Sequence, residues 1–205
     1  LADVNAECEV TSLTEPTATD NCAGSITVTK NVTLPITAQG TTVVTWTYDD
    51  GNGNTSTQDQ NIIIGDVTAP VPDVATLADV NAECEVTSLT EPTAADNCAG
   101  IVTVTNNVTL PLTTQGTTIV TWTYDDGNGN TSTQDQNVII NLPDATVTLS
   151  DFTITSGNTS ATSYQWIDCL NGNMEISGET NASFTANADG EYAVIVSGVS
   201  CSDTS

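Results

Sequence analysis

The chain contains a strand-like alternation of threonine and apolar residues that occurs twice, and each occurrence predicts the same β-hairpin. In residues 41–48 every second position forms one face, which consists of Thr42, Val44, Trp46 and Tyr48. β-Branched and aromatic residues at a period of two are typical of a pleated strand. The sequence DDGNGN follows. Because glycine and asparagine tolerate positive φ, we expect the chain to reverse there and return as a strand over residues 57–64.

The same sequence recurs 76 positions later, so the chain has an internal repeat. Residues 1–65 and 77–141 align without a gap, and the differences are as mild as Ile36 against Leu112. Such a pair indicates a tandem duplication of small units. We expect three modules, at residues 1–65, 66–143 and 144–205. We also expect that the first module lacks its first strand, that the third is truncated at its C-terminal end, and that the parent protein continues in both directions.

Shorter strands are predicted within each copy, before the hairpin. In the first copy we expect one strand near residues 4–10 and another near residues 26–34. Between the copies, residues 66–73 contain two prolines, which stiffen the chain and remove two backbone donors. This segment is therefore either a short spacer or the first edge strand of module two, because an edge strand tolerates proline.

The third module carries a different pattern, which is typical of immunoglobulin-like (Ig-like) domains. Trp166 lies on a predicted mid-domain strand, and the sequence DGEY, which ends at Tyr192, leads into a later strand. A core tryptophan and a tyrosine at the start of a strand are features of the Ig fold. The predicted fold class is all-β, with tandem Ig-like β-sandwich modules arranged as an extended rod.

Charge excludes several classes of partner. The chain has 26 acidic residues and one basic residue, Lys30, which gives a formal net charge of −25. Repulsion then opposes binding to a phosphate backbone or to an anionic membrane surface. No apolar run approaches the roughly 20 residues that span a bilayer. We therefore expect no nucleic acid partner and no membrane insertion.

The six cysteines fall as two in each predicted module. The chain has no histidine and no C-x-x-C sequence, so disulfides are favoured over zinc, and an oxidising compartment outside the cytoplasm over the cytoplasm. A bond between modules, such as Cys8 with Cys84, is disfavoured because it closes a longer loop. The predicted disulfides are Cys8–Cys22, Cys84–Cys98 and Cys169–Cys201.

The sequence offers few side chains that could act as a catalytic base or nucleophile. There is no histidine, there is one lysine, and the cysteines are predicted to be oxidised, so we predict no catalytic residues and no enzyme. The three tryptophans could stack on sugar rings, but each lies within an alternating strand pattern, which favours core packing. They are Trp46, Trp122 and Trp166.

Two groups of oxygen-bearing side chains are candidate calcium sites. The hairpin tip has the alternate-residue spacing that opens an EF-hand loop, but Thr55 and Asn61 stand where that loop needs glycine and glutamate, so a plain turn is favoured. The second candidate is the junction between modules, where a solvated acidic surface is the favoured alternative. Its tentative calcium ligands are Asp66, Asp73 and Asp79, with Asp49 or Asp50 from a hairpin tip.

The repeat resembles a known family of modules. The sequences DNCAG, GTTVVTWTYDD and GNGNTSTQDQ resemble hyalin-repeat (HYR) modules, Ig-like domains found in tandem in very large bacterial surface proteins. This resemblance covers residues 1–141. That pattern usually carries a cysteine on its last strand, whereas residues 57–60 have none here and the second cysteine is Cys22. In the third module, SYQWIDC, YAVIV and CSDTS resemble Ig-like repeats of secreted and gliding-motility adhesins exported by the type IX system.

The resemblance implies an extracellular, cell-surface protein concerned with adhesion, with no catalytic residues to carry over. The leading hypothesis is a structural stalk segment of a large secreted adhesin, which spaces or presents a binding tip. Its partners would be neighbouring modules of the same chain and an unknown extracellular surface or glycan. The alternative hypothesis is an Ig-like module that itself binds a glycan or a protein, with or without calcium; no other cofactor is expected.

Overall fold

The computed structural model describes residues 1–22, 24–98 and 100–205. Their regular structure is β-strand, apart from a short 3-10 helix at Cys169–Asn171. Contacts divide these residues into two compact units. The first comprises residues 1–74, 93–104 and 123–132, and the second comprises residues 75–92, 105–122 and 133–205. Each unit contains some residues of the second repeat, so the division of the chain at residues 65 and 143 remains a prediction.

Repeat 1 contains a four-stranded sheet built on the predicted hairpin. Its strands are β1 (Val4–Ala6), β2 (Thr27–Lys30), β3 (Gly40–Asp49) and β4 (Thr55–Ile64), in the order β1-β4-β3-β2. β1 runs parallel to β4, whereas β3 is antiparallel to both of its neighbours. Asp49 pairs with Thr55, so the chain reverses at the DDGNGN sequence as expected.

The apolar face of this hairpin forms the core of repeat 1. Seven buried residues make up the cluster: Val10, Ile36, Val44, Trp46, Tyr48, Ile62 and Ile64. Val10 and Ile36 form an isolated antiparallel bridge, with backbone hydrogen bonds of 2.9 and 3.0 Å. The strands predicted over residues 4–10 and 26–34 are therefore shorter than expected, since β1 ends at Ala6 and Val10 forms only this bridge.

Repeat 2 forms the equivalent sheet and gains one more pair of strands. Its strands are β5 (Val71–Pro72), β6 (Val80–Glu83), β7 (Ala94–Ala95), β8 (Thr103–Asn106), β9 (Gly116–Asp125) and β10 (Thr131–Asn141). The four-stranded sheet has the order β6-β10-β9-β8, and β5 pairs antiparallel with β7. The proline-containing segment thus forms a short strand that pairs with residues of repeat 2. Trp122 is only 2% exposed, as its strand pattern predicted.

The third module is a sandwich of two sheets. Its strands are β11 (Val147–Ser150), β12 (Thr153–Ser156), β13 (Ser163–Asp168), β14 (Met174–Glu175), β15 (Ser183–Thr185), β16 (Tyr192–Ser197) and β17 (Ser202–Thr204). One sheet has the order β11-β12-β15 and the other β14-β13-β16-β17. β17 pairs antiparallel with β16 at the edge of this second sheet. Truncation of the module at its C-terminal end remains a prediction.

The aromatic core of this sandwich confirms its Ig-like character. Trp166 is fully buried, and its ring stacks on Phe184 with 5.5 Å between centroids. The Tyr192 hydroxyl donates to the Ala188 carbonyl oxygen at 3.1 Å, which is the bond of a tyrosine corner. The chain is therefore all-β, built from Ig-like β-sandwich modules.

Among the residues that the structure describes, no helix has the length and apolar character needed to cross a membrane.

Candidate functional site at the module joints

The disulfides connect successive modules, which corrects the predicted pairing. The bonds are Cys8–Cys98 and Cys84–Cys201, whereas Cys22 and Cys169 are free thiols. None of the three predicted pairs is present. The prediction rested on loop length, but closing a 90-residue separation costs only about 1.6 kcal/mol more than closing one of 14. The folded geometry outweighs that difference, since the Cα atoms of Cys8 and Cys98 lie 4.7 Å apart.

The segment after repeat 1 is held by the hairpin tip of repeat 2. Asp66 is 8% exposed, and its Oδ2 accepts a hydrogen bond from Asn128 Nδ2 at 3.0 Å. The Asp66 backbone carbonyl accepts another from Asn130 Nδ2 at 3.2 Å. The second carboxylate oxygen of Asp66 accepts from the Thr68 amide at 3.1 Å. A carboxylate this buried needs such partners, and the tip supplies them from the next module.

The same segment then joins repeat 2 as strand β5. Ser132 Oγ donates to the carbonyl oxygen of Pro70 at 2.5 Å, and Val71–Pro72 pairs with Ala94–Ala95. The Asp73 amide donates to the Thr93 carbonyl at 3.0 Å, and the Thr93 hydroxyl donates to the Asp73 carboxylate. Pro70 is buried. We call this set of contacts the covered joint: residues 66–73 seated on residues 93–98 and 124–132.

The tip itself is organised by Asp126. Its Oδ1 accepts from the amides of Asn128 and Asn130 at 2.7 and 3.0 Å, and its Oδ2 accepts from Asn130 Nδ2 at 2.7 Å. Burial opposes the charged form of Asp126, but these hydrogen bonds outweigh it, so the pKa of this carboxyl lies below its ordinary value. The adjacent Tyr124 has a raised pKa, because it is buried and the negative charge of Asp73 lies nearby.

The tentative calcium ligands do not form one cluster in the part of the chain that is described. Asp66 and Asp73 belong to the covered joint, and Asp79 accepts a hydrogen bond from Asn137 Nδ2 at 3.0 Å. Asp49 and Asp50 accept from backbone amides of their own turn. The described group of carboxylate oxygens and sulfur within 4.8 Å of one another comprises Asp66, Asp96 and Cys98. Calcium binding at the predicted residues therefore remains a prediction.

The second disulfide lies in a crowded setting in the second unit. A side-chain carbon added to Gly198 would lie 2.4 Å from Cys84 Sγ and 3.2 Å from Glu83 Oε1. Cys84 itself has a φ of 68°, in the left-handed region that non-glycine residues rarely adopt. Residue 198 is a glycine because only a hydrogen fits beside the sulfur.

Sequence reasoning missed the joint although one signal for it was available. Both cysteines of repeat 1 recur in repeat 2 at the same period, so a bond within each repeat and a bond from each repeat to the next were equally compatible with the count. The sequence offered Asp66 as a candidate calcium ligand, with solvated acidic surface as the favoured alternative. In the structure asparagine side-chain amides donate to Asp66, which gives it the partners that a cation would give.

Comparison with known proteins gives the type of module. Residues 2–64 match the family model described as a HYR-like domain with 4 cysteines. The chain is also similar to hyalin of Lytechinus variegatus, at 36% identity over 128 residues, which cover 58% of this chain and 24% of hyalin. The chain thus matches about a quarter of that relative's length. Residues 2–64 are thus similar to a HYR-like domain.

Solved structures with distant likeness include chains of several extracellular domains. Sidekick-1 immunoglobulin domains 1–5 match with a TM-score of 0.40 and 8% identity, covering 99% of this chain and 56% of that one. Protocadherin Gamma B2 extracellular cadherin domains 1–5 match with a TM-score of 0.33 and 14% identity, covering 99% of this chain and 57% of that one.

Proposed function

We propose that this chain is a structural segment of a large extracellular adhesion protein, in which Ig-like modules are joined in series to space or present a binding site carried elsewhere. The observation that carries the proposal is the covered joint together with the disulfides. In each disulfide a cysteine of one repeat is bonded to a cysteine of the following module. A protein that only needed separate binding modules would gain little from covalent joints of this kind.

The chemistry of the chain supports an extracellular location. Disulfides persist in oxidising compartments, and the net charge of −25 keeps the modules soluble and mutually repelling. The matched module types are non-enzymatic, and the chain is not an enzyme. The bacterial type IX adhesin setting belongs to this proposal and is tested by the parent gene, which should encode further modules of this kind and a secretion signal of that system.

Small-angle scattering tests the structural role. We expect an extended particle whose maximum dimension is much longer than that of a 205-residue globule. Variants Cys98→Ser and Cys201→Ser, which open one joint each, should broaden the distance distribution because the joined modules gain freedom. Cys169→Ser is the matched control, since this thiol is in neither bond. A compact particle would contradict the proposal.

A second candidate function, direct ligand binding, is favoured by one feature of the third module. Phe152 is 67% exposed and Leu149 is 70% exposed. They border a cavity of about 280 Å³ whose lining also includes the carboxylates Asp151 and Asp189. An exposed aromatic ring beside carboxylates suits a sugar, which stacks its apolar face and donates its hydroxyl protons. Glycan-array binding by the chain that Phe152→Ala abolishes and Leu170→Ala leaves intact would support this function.

A further inference from the structure

We propose that repeat 1 carries a second, exposed copy of the surface that receives the linker in the covered joint, and that this surface binds a preceding module of the same kind, with a disulfide to Cys22. The surface, which we call the open face, consists of Ala18, Thr19, Cys22, Asn52, Asn54 and Ser56. This inference deepens the proposed function and rests on it, because it names the partner of the segment on that side: a hyalin-repeat-like module followed by a linker equivalent to residues 66–73.

Repeat 2 shows what each residue of the open face does when it is occupied. The period of 76 maps the open face onto Ala94, Ala95, Cys98, Asn128, Asn130 and Ser132. Every one of these contacts the preceding segment. The two alanines pair with β5, the cysteine is bonded to Cys8, the two asparagines donate to Asp66, and the serine donates to Pro70.

In repeat 1 the corresponding groups are present and exposed. Residues 18 and 19 lie outside the strands that the structure describes, and Asn52, Asn54 and Ser56 are solvent-exposed. Cys22 is an exposed free thiol. The tip has the same internal order as in repeat 2, because Asp50 Oδ1 accepts from the Asn52 and Asn54 amides at 2.8 and 3.1 Å. The receiving surface is therefore already formed, which reduces the conformational cost of docking.

A cavity marks the place that the linker would take. It has a volume of about 190 Å³ and is lined by residues that include Ala18, Thr19, Tyr48, Asn54 and Ser56. The equivalents of Ala18, Thr19, Asn54 and Ser56 contact residues 66–73 directly in the covered joint. The exposed fraction of the tyrosine follows the same trend, at 8% for Tyr48 and 0% for Tyr124. The occupant is thus a short extended segment that adds a strand beside residues 18–19.

The covalent step is thiol–disulfide exchange. The thiol of Cys22 and the thiol at the Cys8 position of the preceding module lose two protons and two electrons as their sulfur–sulfur bond forms. The oxidant is a disulfide of the oxidising compartment, whose own sulfur–sulfur bond breaks and takes up the two electrons and two protons to give two thiols. In vitro, oxidised glutathione can serve as this oxidant.

The test adds the proposed partner to the full chain. A second copy of residues 1–76 is placed before Leu1, which reproduces the spacing between repeats 1 and 2, and the protein is oxidised with oxidised glutathione. Without the addition, a thiol-labelling reagent should modify Cys22 and Cys169. With it, non-reducing peptide mapping should join the added copy's Cys8 to Cys22, and the label should move to the added copy's Cys22.

Two variants make the result specific. Cys8→Ser in the added copy should leave Cys22 labelled, and Asn54→Ala in the receiving repeat should slow formation of the new bond severalfold by removing a donor to the linker. Intact Cys8–Cys98 and Cys84–Cys201 bonds verify folding. A Cys22 that stays labelled in the extended chain, or bonds elsewhere, overturns this inference even if scattering shows an extended particle. A compact particle with the new bond present overturns only the proposed function.

Discussion

The hairpin tips of the two repeats have almost the same sequence but different surroundings. In repeat 2 the tip asparagines donate to Asp66 and Asp126 is 8% exposed, whereas in repeat 1 the side chains of Asn52 and Asn54 are exposed. The internal hydrogen bonds of the two turns are alike, with Asn54 Nδ2 and Asn130 Nδ2 each 2.7 Å from an aspartate oxygen. The comparison shows that the turn is formed by local chemistry, because its internal hydrogen bonds are the same in the exposed tip and in the tip that contacts residues 66–73.

Substitution of the two equivalent cysteines, Cys98 and Cys22, should give the largest difference in the free energy of unfolding between the repeats. Cys98→Ser should lower the free energy of unfolding of the first unit by about 2–4 kcal/mol, because it releases the constraint on the unfolded chain. Cys22→Ser should change it by less than about 0.5 kcal/mol, since that thiol is exposed and free. Urea unfolding of both variants measures this. Equal effects would show that the Cys8–Cys98 bond does not stabilise the joint.

Substitution of the equivalent tip asparagines, Asn130 and Asn54, should give a smaller difference in the free energy of unfolding. Asn130→Ala removes donors to both Asp126 and the Asp66 carbonyl, whereas Asn54→Ala removes only the donor to Asp50. The extra bond should make Asn130→Ala about 1 kcal/mol more destabilising. The midpoints of chemical unfolding of the two variants give the comparison. If the costs are the same, the joint gains nothing from this contact.

Acid should affect both tips in the same direction. The pKa of Asp50 is lowered chiefly by the hydrogen bond from the Asn54 side chain, and that of Asp126 is lowered although burial opposes it. A carboxyl whose folded pKa lies below its unfolded value stabilises the fold above about pH 4, and this contribution is lost as pH falls through the folded pKa.

Thermal unfolding between pH 5 and pH 3 should therefore show less pH dependence in Asp50→Asn and Asp126→Asn than in the parent chain. Thr19→Ala, which leaves both turns intact, should retain the full dependence. If only one of these two aspartate variants shows a reduced pH dependence of unfolding, the surroundings of the tip, and not the turn itself, set these pKa values.

The smallest effect is expected from calcium. Both carboxylate oxygens of Asp66 already accept hydrogen bonds, but Asp96 Oδ2 is buried and accepts none from the described residues. Millimolar calcium should raise the melting temperature slightly, and Asp96→Asn should abolish the rise. Asp20→Asn, at the equivalent position of repeat 1, should preserve it. No response in the parent chain would mean that Asp66 and Asp96 bind no calcium.

Local patterns predicted much of the fold and little of the site. The alternation around Trp46 and the DDGNGN turn were sufficient for the hairpin, because strand pairing across a tight turn is decided by neighbouring residues. Trp166 and Tyr192 were similarly sufficient for the Ig-like third module. Asp66, by contrast, was a candidate calcium ligand with solvated acidic surface as the favoured alternative, since nothing in its neighbourhood in sequence shows that Asn128 would lie beside it.

The sequence by itself therefore determined the strands, the turns, the buried tryptophans and the all-β modular class, for which the information lies within about ten residues. Only the tertiary structure decided which cysteines are bonded and which residues of repeat 2 contact residues 66–73. The physical reason is that loop closure discriminates weakly between near and distant partners. Which groups finally meet is decided by packing of whole modules, as the 4.7 Å between the Cα atoms of Cys8 and Cys98 shows.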